Sequence, residues 1–267
     1  MSSLGLIPLV AVVAGSVLVA AVRSDFRGLP EAASDGAKKW AVVFDFDTDS
    51  CYPAPAISAT GEVNGGLRDS GKITGECRKL DVFKKANTYC RHARVDKDGV
   101  RYDVYMYALY FQKDQAVSYT HFGHRHDWEY ALIWVKNGRV TDASFSAHGD
   151  LETLAIDKLV FNDDKKQTVR VVYHKDGIAT HSFRPATKDD DKPENELGKW
   201  ITPALVEWEQ MQSDKVSNAD LRKKLNDHDF GKANCPVNDN HFAGEIAKNP
   251  PKAYPAPEEW KRAGRSK

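Results

Sequence analysis

Two carboxylates, two imidazoles and a guanidinium occupy the six consecutive residues from His124 to Glu129, immediately before an apolar run. Asp127 and Glu129 are two positions apart, so in a β-strand their side chains point to the same face. Carboxylates held close together repel each other unless a cation or a proton lies between them. The spacing therefore predicts a site for a hard divalent cation such as calcium or magnesium, which prefers oxygen ligands.

A β-hairpin is predicted to carry these carboxylates. Residues 130–135 have the apolar and aromatic composition of a strand, and Asn137-Gly138 is a strong signal for a two-residue turn. We therefore expect a return strand over residues 139–148, with Lys136 paired with Arg139.

This register brings further polar groups to the same face. It places Asp127 opposite His148 and Glu129 opposite Ser146. Asp114, which follows another predicted strand, is the nearest candidate for a third carboxylate. The opposite face is predicted to be a hydrophobic core face made of Trp128, Tyr130, Leu132, Trp134, Ala143, Phe145 and Ala147.

The same charged residues have an ordinary alternative explanation. His124, Arg125 and Glu129 could form ion pairs on an exposed strand, where each pair contributes only about 0–1 kcal/mol. The expected neighbour His148 favours the cation site over this alternative.

Gly123-His-Arg-His-Asp-Trp-Glu129 resembles the hallmark heptapeptide of the necrosis- and ethylene-inducing-like protein family. The similarity extends from Val42 to about Ala247 through several shorter motifs. These are Asp49-Ser-Cys51-Tyr, Pro55-Ala-Ile57, Gly65-Gly-Leu67, Tyr105-Met-Tyr107, Phe111-Gln-Lys-Asp-Gln115, Ser146-Ala-His-Gly149 and Phe230-Gly-Lys-Ala233. The resemblance implies a mainly β fold, a β-sandwich similar to those of actinoporins and fungal lectins, with peripheral helices.

The resemblance also implies a set of site residues. The ligands of a divalent cation, calcium or magnesium, would be Asp114, His124, Asp127 and Glu129. The ligand-binding cavity around the cation would include Arg125, His126, His148 and His181.

The function implied by the resemblance is that of a secreted cytolysin. Such a protein binds the glycosylated headgroups of plant inositol phosphorylceramide sphingolipids and then permeabilises the membrane, without breaking any bond. It would contact the membrane peripherally, act as a monomer and not be an enzyme. Two alternatives remain: a metal-dependent lyase or hydrolase of extracellular glycans, with His126 or His148 as the base, and a non-toxic surface-binding member of the family.

The ends of the chain predict export and a single folded domain. An apolar run from Leu4 to Ala21 ends in small residues, which is typical of a cleaved signal peptide over residues 1–21, with a transmembrane anchor as the alternative. We expect a flexible leader over residues 22–38, a β-sandwich domain over residues 39–250 and a disordered basic tail over residues 251–267. The mature protein is thus expected to be secreted and extracellular.

The charge balance argues against one class of partner. The chain has 38 basic and 38 acidic residues and a pI of about 7.1. A nucleic-acid-binding protein usually carries a basic excess or stripe, so we expect no nucleic-acid partner.

Four cysteines are expected to form two disulfides in an exported chain, with three possible connectivities. The family resemblance favours Cys51 with Cys77, which leaves Cys90 and Cys235 as the second pair. The alternative is one disulfide and two buried thiols.

Two helices are predicted near the C-terminus. Leu205, Trp208 and Met211 recur at helical spacing after Pro203, and a second short helix is expected over residues 220–226.

Overall fold

The computed structural model describes residues 26–265, which form two β-sheets with helices around them. The strands are β1 (Val43–Phe46), β2 (Asn87–Lys97), β3 (Val100–Gln115), β4 (Gly123–Lys136), β5 (Arg139–Ala147), β6 (Asp150–Ala155), β7 (Arg170–Lys175), β8 (His181–Pro185) and β9 (Ala204–Glu207). The helices are α1 (Asp35–Lys39), α2 (Leu80–Phe83), α3 (Asn218–Asp227), α4 (Phe242–Glu245) and α5 (Pro257–Arg265). Short 3-10 turns cover Ile156–Lys158 and Trp208–Gln210.

The large sheet has the strand order β6-β5-β4-β3-β2-β9, and the small sheet has the order β1-β7-β8. Apolar side chains from both sheets meet in one core, where Phe111 stacks on Tyr173 with ring centroids 3.8 Å apart. The predicted mainly β fold with peripheral helices is therefore confirmed.

The large sheet is also buried on its second face, beneath the C-terminal segments. Trp134 packs against Trp260 with ring centroids 5.2 Å apart, and Trp128 packs against Phe230 at 5.6 Å. This double burial explains the continuous apolar run over residues 130–135, because a strand covered on both sides has no need for polar alternation. The face of the large sheet that carries Trp128 is thus a core face. It packs against the C-terminal segments and not against the small sheet.

The Asn137-Gly138 turn forms as predicted, with positive φ at both residues. A β-bulge after the first two residue pairs then shifts the register of β4 against β5 by one residue. Ala131 consequently pairs with Phe145. The predicted register fails beyond the bulge because one residue of β5, Thr141, opposes no residue of β4.

This shift corrects the predicted side-chain arrangement. Asp127 and His148, like Glu129 and Ser146, are therefore not opposite each other in the strand register. The Ser146 hydroxyl nevertheless still contacts the Glu129 carboxyl group. Two residues predicted for the Trp128 face belong instead to the core between the sheets, namely Ala143 and Phe145.

Residues 26–38 are packed against the domain, so the prediction of a flexible leader is wrong for this part. Ser34 begins α1 by accepting a hydrogen bond from the Ala37 N–H at 3.2 Å, and Ala37 is buried. Leu29 is buried in the core beneath the large sheet. This burial offsets the entropy cost of ordering the segment. Residues 1–25, including the predicted signal peptide, lie outside the described residues.

The prediction of a disordered tail is also wrong for the described residues. The segment Pro257–Arg265 forms α5, in which Trp260 is completely buried. Tyr254 precedes this helix and packs on Trp134 with ring centroids 5.4 Å apart. The buried Trp260 and the half-buried Tyr254 provide the apolar area that holds the tail in place. Residues 266–267 lie outside the described part of the chain.

The helix predicted from Leu205, Trp208 and Met211 is wrong. Leu205 lies in β9, which pairs in parallel with β2, and Trp208 begins a 3-10 turn. The second predicted helix is confirmed as α3, which Ser217 caps. None of the helices in residues 26–265 combines the length and the apolar character needed to cross a membrane.

One disulfide joins Cys51 to Cys77. Cys90 and Cys235 are free and buried, so the second predicted disulfide is wrong and the alternative with two thiols is correct. Cys90 belongs to the core between the sheets, whereas Cys235 belongs to the core beneath the C-terminal segments. The large sheet therefore lies between the two thiols.

Candidate functional site

Asp127 and Glu129 lie at one end of the core between the sheets. Their relative exposures are 5% and 6%, so both carboxyl groups are buried. The Tyr173 hydroxyl donates a hydrogen bond of 2.9 Å to Asp127 Oδ2, and the Ser146 hydroxyl donates to Glu129 Oε2. Side chains from both sheets thus hold the two carboxyl groups on one face of β4.

Asp114 and His181 connect the two sheets beside these carboxyl groups. The ring Nδ1–H of His181 donates to Asp114 Oδ1 at 2.6 Å, and the backbone N–H of His181 donates to Oδ2 at 2.8 Å. The other ring nitrogen, Nε2, lies 3.9 Å from a carboxylate oxygen of Asp49. Asp114 and His181 are both buried, so this contact fixes the Asp114 carboxylate in the cavity wall.

A left-handed residue inside β4 brings His124 to the same side as Asp127. The two residues are three positions apart, and a regular strand would point them to opposite faces. His126 lies between them with a φ of 62°, which interrupts the alternation. Its carbonyl accepts a hydrogen bond from His124 Nδ1 at 2.6 Å, which leaves His124 Nε2 available to bind a ligand.

Asp114, His124 and Asp127 form a group with the spacing of metal ligands. One potential ligand atom from each residue lies within 4.8 Å of the other two. Two carboxylates and one imidazole suit an oxygen-preferring divalent cation. Glu129, the fourth predicted ligand, is outside this group, and its role as a ligand stays a prediction.

The electrostatics of the site favour a cation. Burial and the nearby Asp114 carboxylate raise the pKa of Asp127 to about 7. Burial and the Asp127 charge raise the pKa of Glu129 well above its usual value. Burial by itself lowers the pKa of His181, but the neighbouring carboxylates of Asp114 and Asp49 outweigh burial and raise this pKa to about 9. A divalent cation relieves the repulsion between the buried carboxylates.

These groups line a cavity of about 260 Å³. The structure places His148 and His181, two of the predicted cavity residues, in its wall. Arg125 and His126 line a neighbouring cavity of about 460 Å³ instead. The His126 ring packs against the Phe230 ring beneath the C-terminal segments, with ring centroids 5.4 Å apart. His126 therefore does not line the cavity that contains the carboxyl groups.

The sequence analysis missed the residues that complete the site. Tyr173 reaches Asp127 from 46 positions away, and the C-terminal segment supplies Lys232, Asn234, Glu245 and Lys248 to the cavity wall. Tertiary folding brings these residues to β4, so local patterns do not reveal them. The Phe230-Gly-Lys-Ala233 motif is the one signal that could have pointed to Lys232.

A family model described as necrosis inducing protein (NPP1) matches residues 34–249. The chain belongs to the necrosis inducing protein family. The chain is 31% identical to NLP effector protein 3 of Plasmopara viticola over 212 residues, which are 75% of this chain and 81% of the relative.

Solved structures of related proteins share the fold of this chain. NLPPya in complex with mannosamine aligns with a TM-score of 0.64 and 27% identity, covering 83% of this chain and 93% of that one. The non-toxic HaNLP3 protein aligns with a TM-score of 0.63 and 26% identity, covering 85% and 97%. The same fold therefore occurs in a sugar-bound protein and in a non-toxic one.

Proposed function

We propose that this protein is a secreted cytolysin that holds calcium or magnesium at Asp114, His124 and Asp127, with Glu129 as a further ligand. The cation would bind the sugar headgroup of glycosylated inositol phosphorylceramides in the plant plasma membrane, and the protein would then permeabilise that membrane. The observation that supports the proposal is that exposed apolar side chains lie on the two loops adjoining Asp114 and His181, which line the acidic cavity.

The cation ligands are positioned by contacts within the protein. His181 holds the Asp114 carboxylate through two hydrogen bonds, and a backbone carbonyl holds the ring of His124. Fixed ligands lose little conformational freedom when a cation binds. A bound calcium or magnesium ion supplies coordination positions for oxygen ligands such as sugar hydroxyl groups. The mannosamine bound to the related NLPPya supports a sugar as the ligand.

Among residues 26–265, four large hydrophobic side chains are exposed, and all lie on two loops. The loop between β3 and β4 carries Val117, Tyr119 and Phe122, and the loop between β7 and β8 carries Ile178. Asp114 precedes the first loop and His181 follows the second, so their hydrogen bond brings both loops to the cavity. The aromatic side chains among them, Tyr119 and Phe122, are suited to a membrane interface.

Binding of the headgroup at the cation would press these apolar loops against the bilayer. Tyr119 and Phe122 are 73% and 59% exposed, so they provide apolar area that lipid can cover. No bond is broken in this sequence of events. The proposed protein is therefore a binding protein and not an enzyme, and it acts outside the producing cell.

Dye release from liposomes tests the proposal. Protein lacking residues 1–21 is added to vesicles with and without plant glycosyl inositol phosphorylceramide, each with and without a chelator. We expect leakage only when both the lipid and the cation are present. Leakage that depends on neither the lipid nor the cation contradicts the proposal. Binding to the vesicles without leakage identifies a non-toxic member such as HaNLP3. Turnover of a soluble glycan would favour an enzyme instead.

Loop variants separate membrane contact from cation binding. The double change Tyr119→Ser and Phe122→Ser should abolish leakage and leave cation binding unchanged, because neither residue lies in the acidic cavity. The matched control is Lys165→Ser with Lys166→Ser, two exposed residues in a different loop, which should leak like the wild type. Equal leakage by both double variants would show that the loop carrying Tyr119 and Phe122 takes no part in permeabilising the membrane.

A further inference from the structure

A second cleft lies at the opposite end of the large sheet from the acidic cavity. Its volume is about 620 Å³, and Val135 and the Asn137-Gly138 turn form one side of it. Asp127 of the acidic cavity precedes Val135 in β4 by eight positions, so the two sites are about 26 Å apart along the strand. A cleft of this volume suits a ligand as large as a short oligosaccharide.

Three nearly buried side chains form the floor of this distal cleft. Asp103 and Tyr105 come from β3, and Trp40 directly follows α1. Their relative exposures are 4%, 6% and 5%. Tyr105 and Trp40 also belong to the core between the sheets, so the floor is part of the folded framework and not of a surface loop.

Contacts within the protein hold Asp103 and Tyr105 in position. Asp103 Oδ1 accepts hydrogen bonds of 2.7 Å from both His92 Nε2 and Arg94 Nε. The His92 ring in turn stacks on the Tyr105 ring, with centroids 4.4 Å apart. Side chains that are already fixed lose little conformational freedom when a ligand binds.

Both of these side chains keep a polar atom without a partner among residues 26–265. The Tyr105 hydroxyl makes no hydrogen bond with any of these residues, and Asp103 Oδ2 accepts none. Polar side chains as buried as these are nearly always fully paired, so the unpaired atoms in the cleft indicate polar atoms of a ligand. A phenol hydroxyl donates and accepts, whereas a carboxylate oxygen only accepts, and the two together complement the hydroxyl groups of a sugar.

Positive charges outnumber negative charges around the cleft. Lys39, Arg94 and Arg101 line it together with Asp96 and Asp103. Arg94 bonds Asp103 through Nε, and Arg101 lies 3.6 Å from Asp96 in an exposed pair, so both guanidinium groups have further N–H donors. Guanidinium groups bind carboxylates through paired hydrogen bonds. The rim therefore favours a ligand that carries a carboxylate.

We propose that the distal cleft binds an acidic oligosaccharide, in which Tyr105 and Asp103 hold sugar hydroxyl groups and Arg94 and Arg101 hold a uronate carboxylate. The inference is independent of the proposed function, because the distal cleft and the acidic cavity share no lining residue. Binding at the distal cleft needs no cation, since the guanidinium groups supply the positive charge. The protein would thus bind a uronate-containing polysaccharide at one end while the other end faces the membrane.

Calorimetry with two trisaccharides of matched linkage tests this site. Trigalacturonate carries carboxylates and maltotriose does not, and a chelator in every titration keeps cations out of the acidic cavity. The main variant is Tyr105→Phe, which keeps the ring that stacks on His92 and removes only the unpaired hydroxyl. The matched control is Tyr102→Phe on the opposite face of β3, where the ring packs on Tyr254. Thermal melts should show both variants as stable as the wild type.

We expect the wild type to bind trigalacturonate more tightly than maltotriose in the presence of the chelator. Tyr105→Phe should bind trigalacturonate about fivefold more weakly, as for the loss of one hydrogen bond, and Tyr102→Phe should bind it like the wild type. Arg101→Gln should reduce the preference for trigalacturonate over maltotriose about threefold, as for the loss of one exposed ion pair.

Three results would overturn the proposal. Equal affinity of Tyr105→Phe and the wild type for trigalacturonate would show that the sugar does not occupy the distal cleft. Binding of maltotriose as tightly as trigalacturonate would refute the assignment to an acidic sugar. Failure of the wild type to bind either trisaccharide with the chelator present would refute the site and leave the cation-dependent proposed function intact.

Discussion

His181 Nδ1 lies 2.6 Å from Asp114 Oδ1, and this contact joins the end of β3 in the large sheet to the start of β8 in the small sheet. The same contact holds one carboxylate of the candidate cation site beside Asp127. The two sheets therefore have to be packed against each other before the site exists.

Replacing His181 by phenylalanine should weaken both the site and the fold. Phenylalanine keeps the ring that stacks on Tyr173 at 5.1 Å but cannot donate the ring hydrogen bond to Asp114. Removing one partner of a buried charged pair costs about 3–5 kcal/mol, and loss of a supporting contact lowers metal affinity roughly 10–100-fold. Urea denaturation and magnesium titration measure the two effects. His174→Phe, on the neighbouring strand, is the control and should bind the cation normally.

Asp127→Asn should separate cation binding from folding. The amide oxygen can still accept the hydrogen bond from Tyr173, but the charge that a cation needs is lost. Without added cation we expect the variant to be more stable than the wild type by about 1 kcal/mol, because a buried, repelled carboxylate has been removed. Thermal melts with and without calcium measure both results. A cation-dependent rise in Tm equal to that of the wild type would exclude Asp127 as a ligand.

The affinity for the cation should rise with pH between 5 and 7. Asp127 has a pKa raised to about 7, so below this pH a cation must displace a proton from it. The raised pKa also means that the cation-free folded state binds more protons than the unfolded state, so this group stabilises the fold at low pH and that stability is lost as pH rises through 7. We expect a gain in affinity of at least about tenfold per pH unit below 7, because a cation that also binds Glu129, whose pKa is raised, displaces a second proton.

Calorimetry at several pH values checks this dependence. His126 has a pKa lowered to about 4, mainly by burial, so it is already neutral between pH 5 and 7 and does not contribute to this dependence. A constant affinity from pH 5 to 7 would mean that Asp127 is already ionised before the cation binds.

Trp128→Ala should destabilise the protein by about 3–5 kcal/mol, because it leaves a large cavity in a packed core. The ring lies within 5.3 Å of Tyr89 and Tyr110 and within 5.6 Å of Phe230, measured between centroids. The exposed residue Val117 provides the comparison, since Val117→Ala should change stability by less than about 0.5 kcal/mol. Chemical denaturation of the two variants gives the values. Similar stability of both would show that Trp128 is not part of the core beneath the C-terminal segments.

Thiol titration should find two reactive cysteines, and only after unfolding. Cys90 and Cys235 are buried, and burial raises the pKa of Cys235 to about 12, so the folded protein exposes no thiolate there. Cys51 and Cys77 are joined and should not react without a reductant. A count of zero in denaturant would mean that Cys90 and Cys235 are linked after all.

The sequence by itself determined the structural features that depend only on residues close to one another in the chain. Asn137-Gly138 specifies its turn through the positive φ that these residues tolerate, and the two-residue spacing of Asp127 and Glu129 places both on one face. The heptapeptide likewise identified the family, because its seven residues are contiguous. These properties require no knowledge of distant contacts.

Only the tertiary structure decided how these local pieces meet. The bulge that shifts β4 against β5 and the left-handed His126 that turns His124 toward Asp127 both depend on packing across the sheet. The hydrogen bond from His181 to Asp114 joins residues 67 positions apart. Burial on the second face of the large sheet also ordered the tail around Trp260, since the apolar area that stabilises it belongs to another part of the chain.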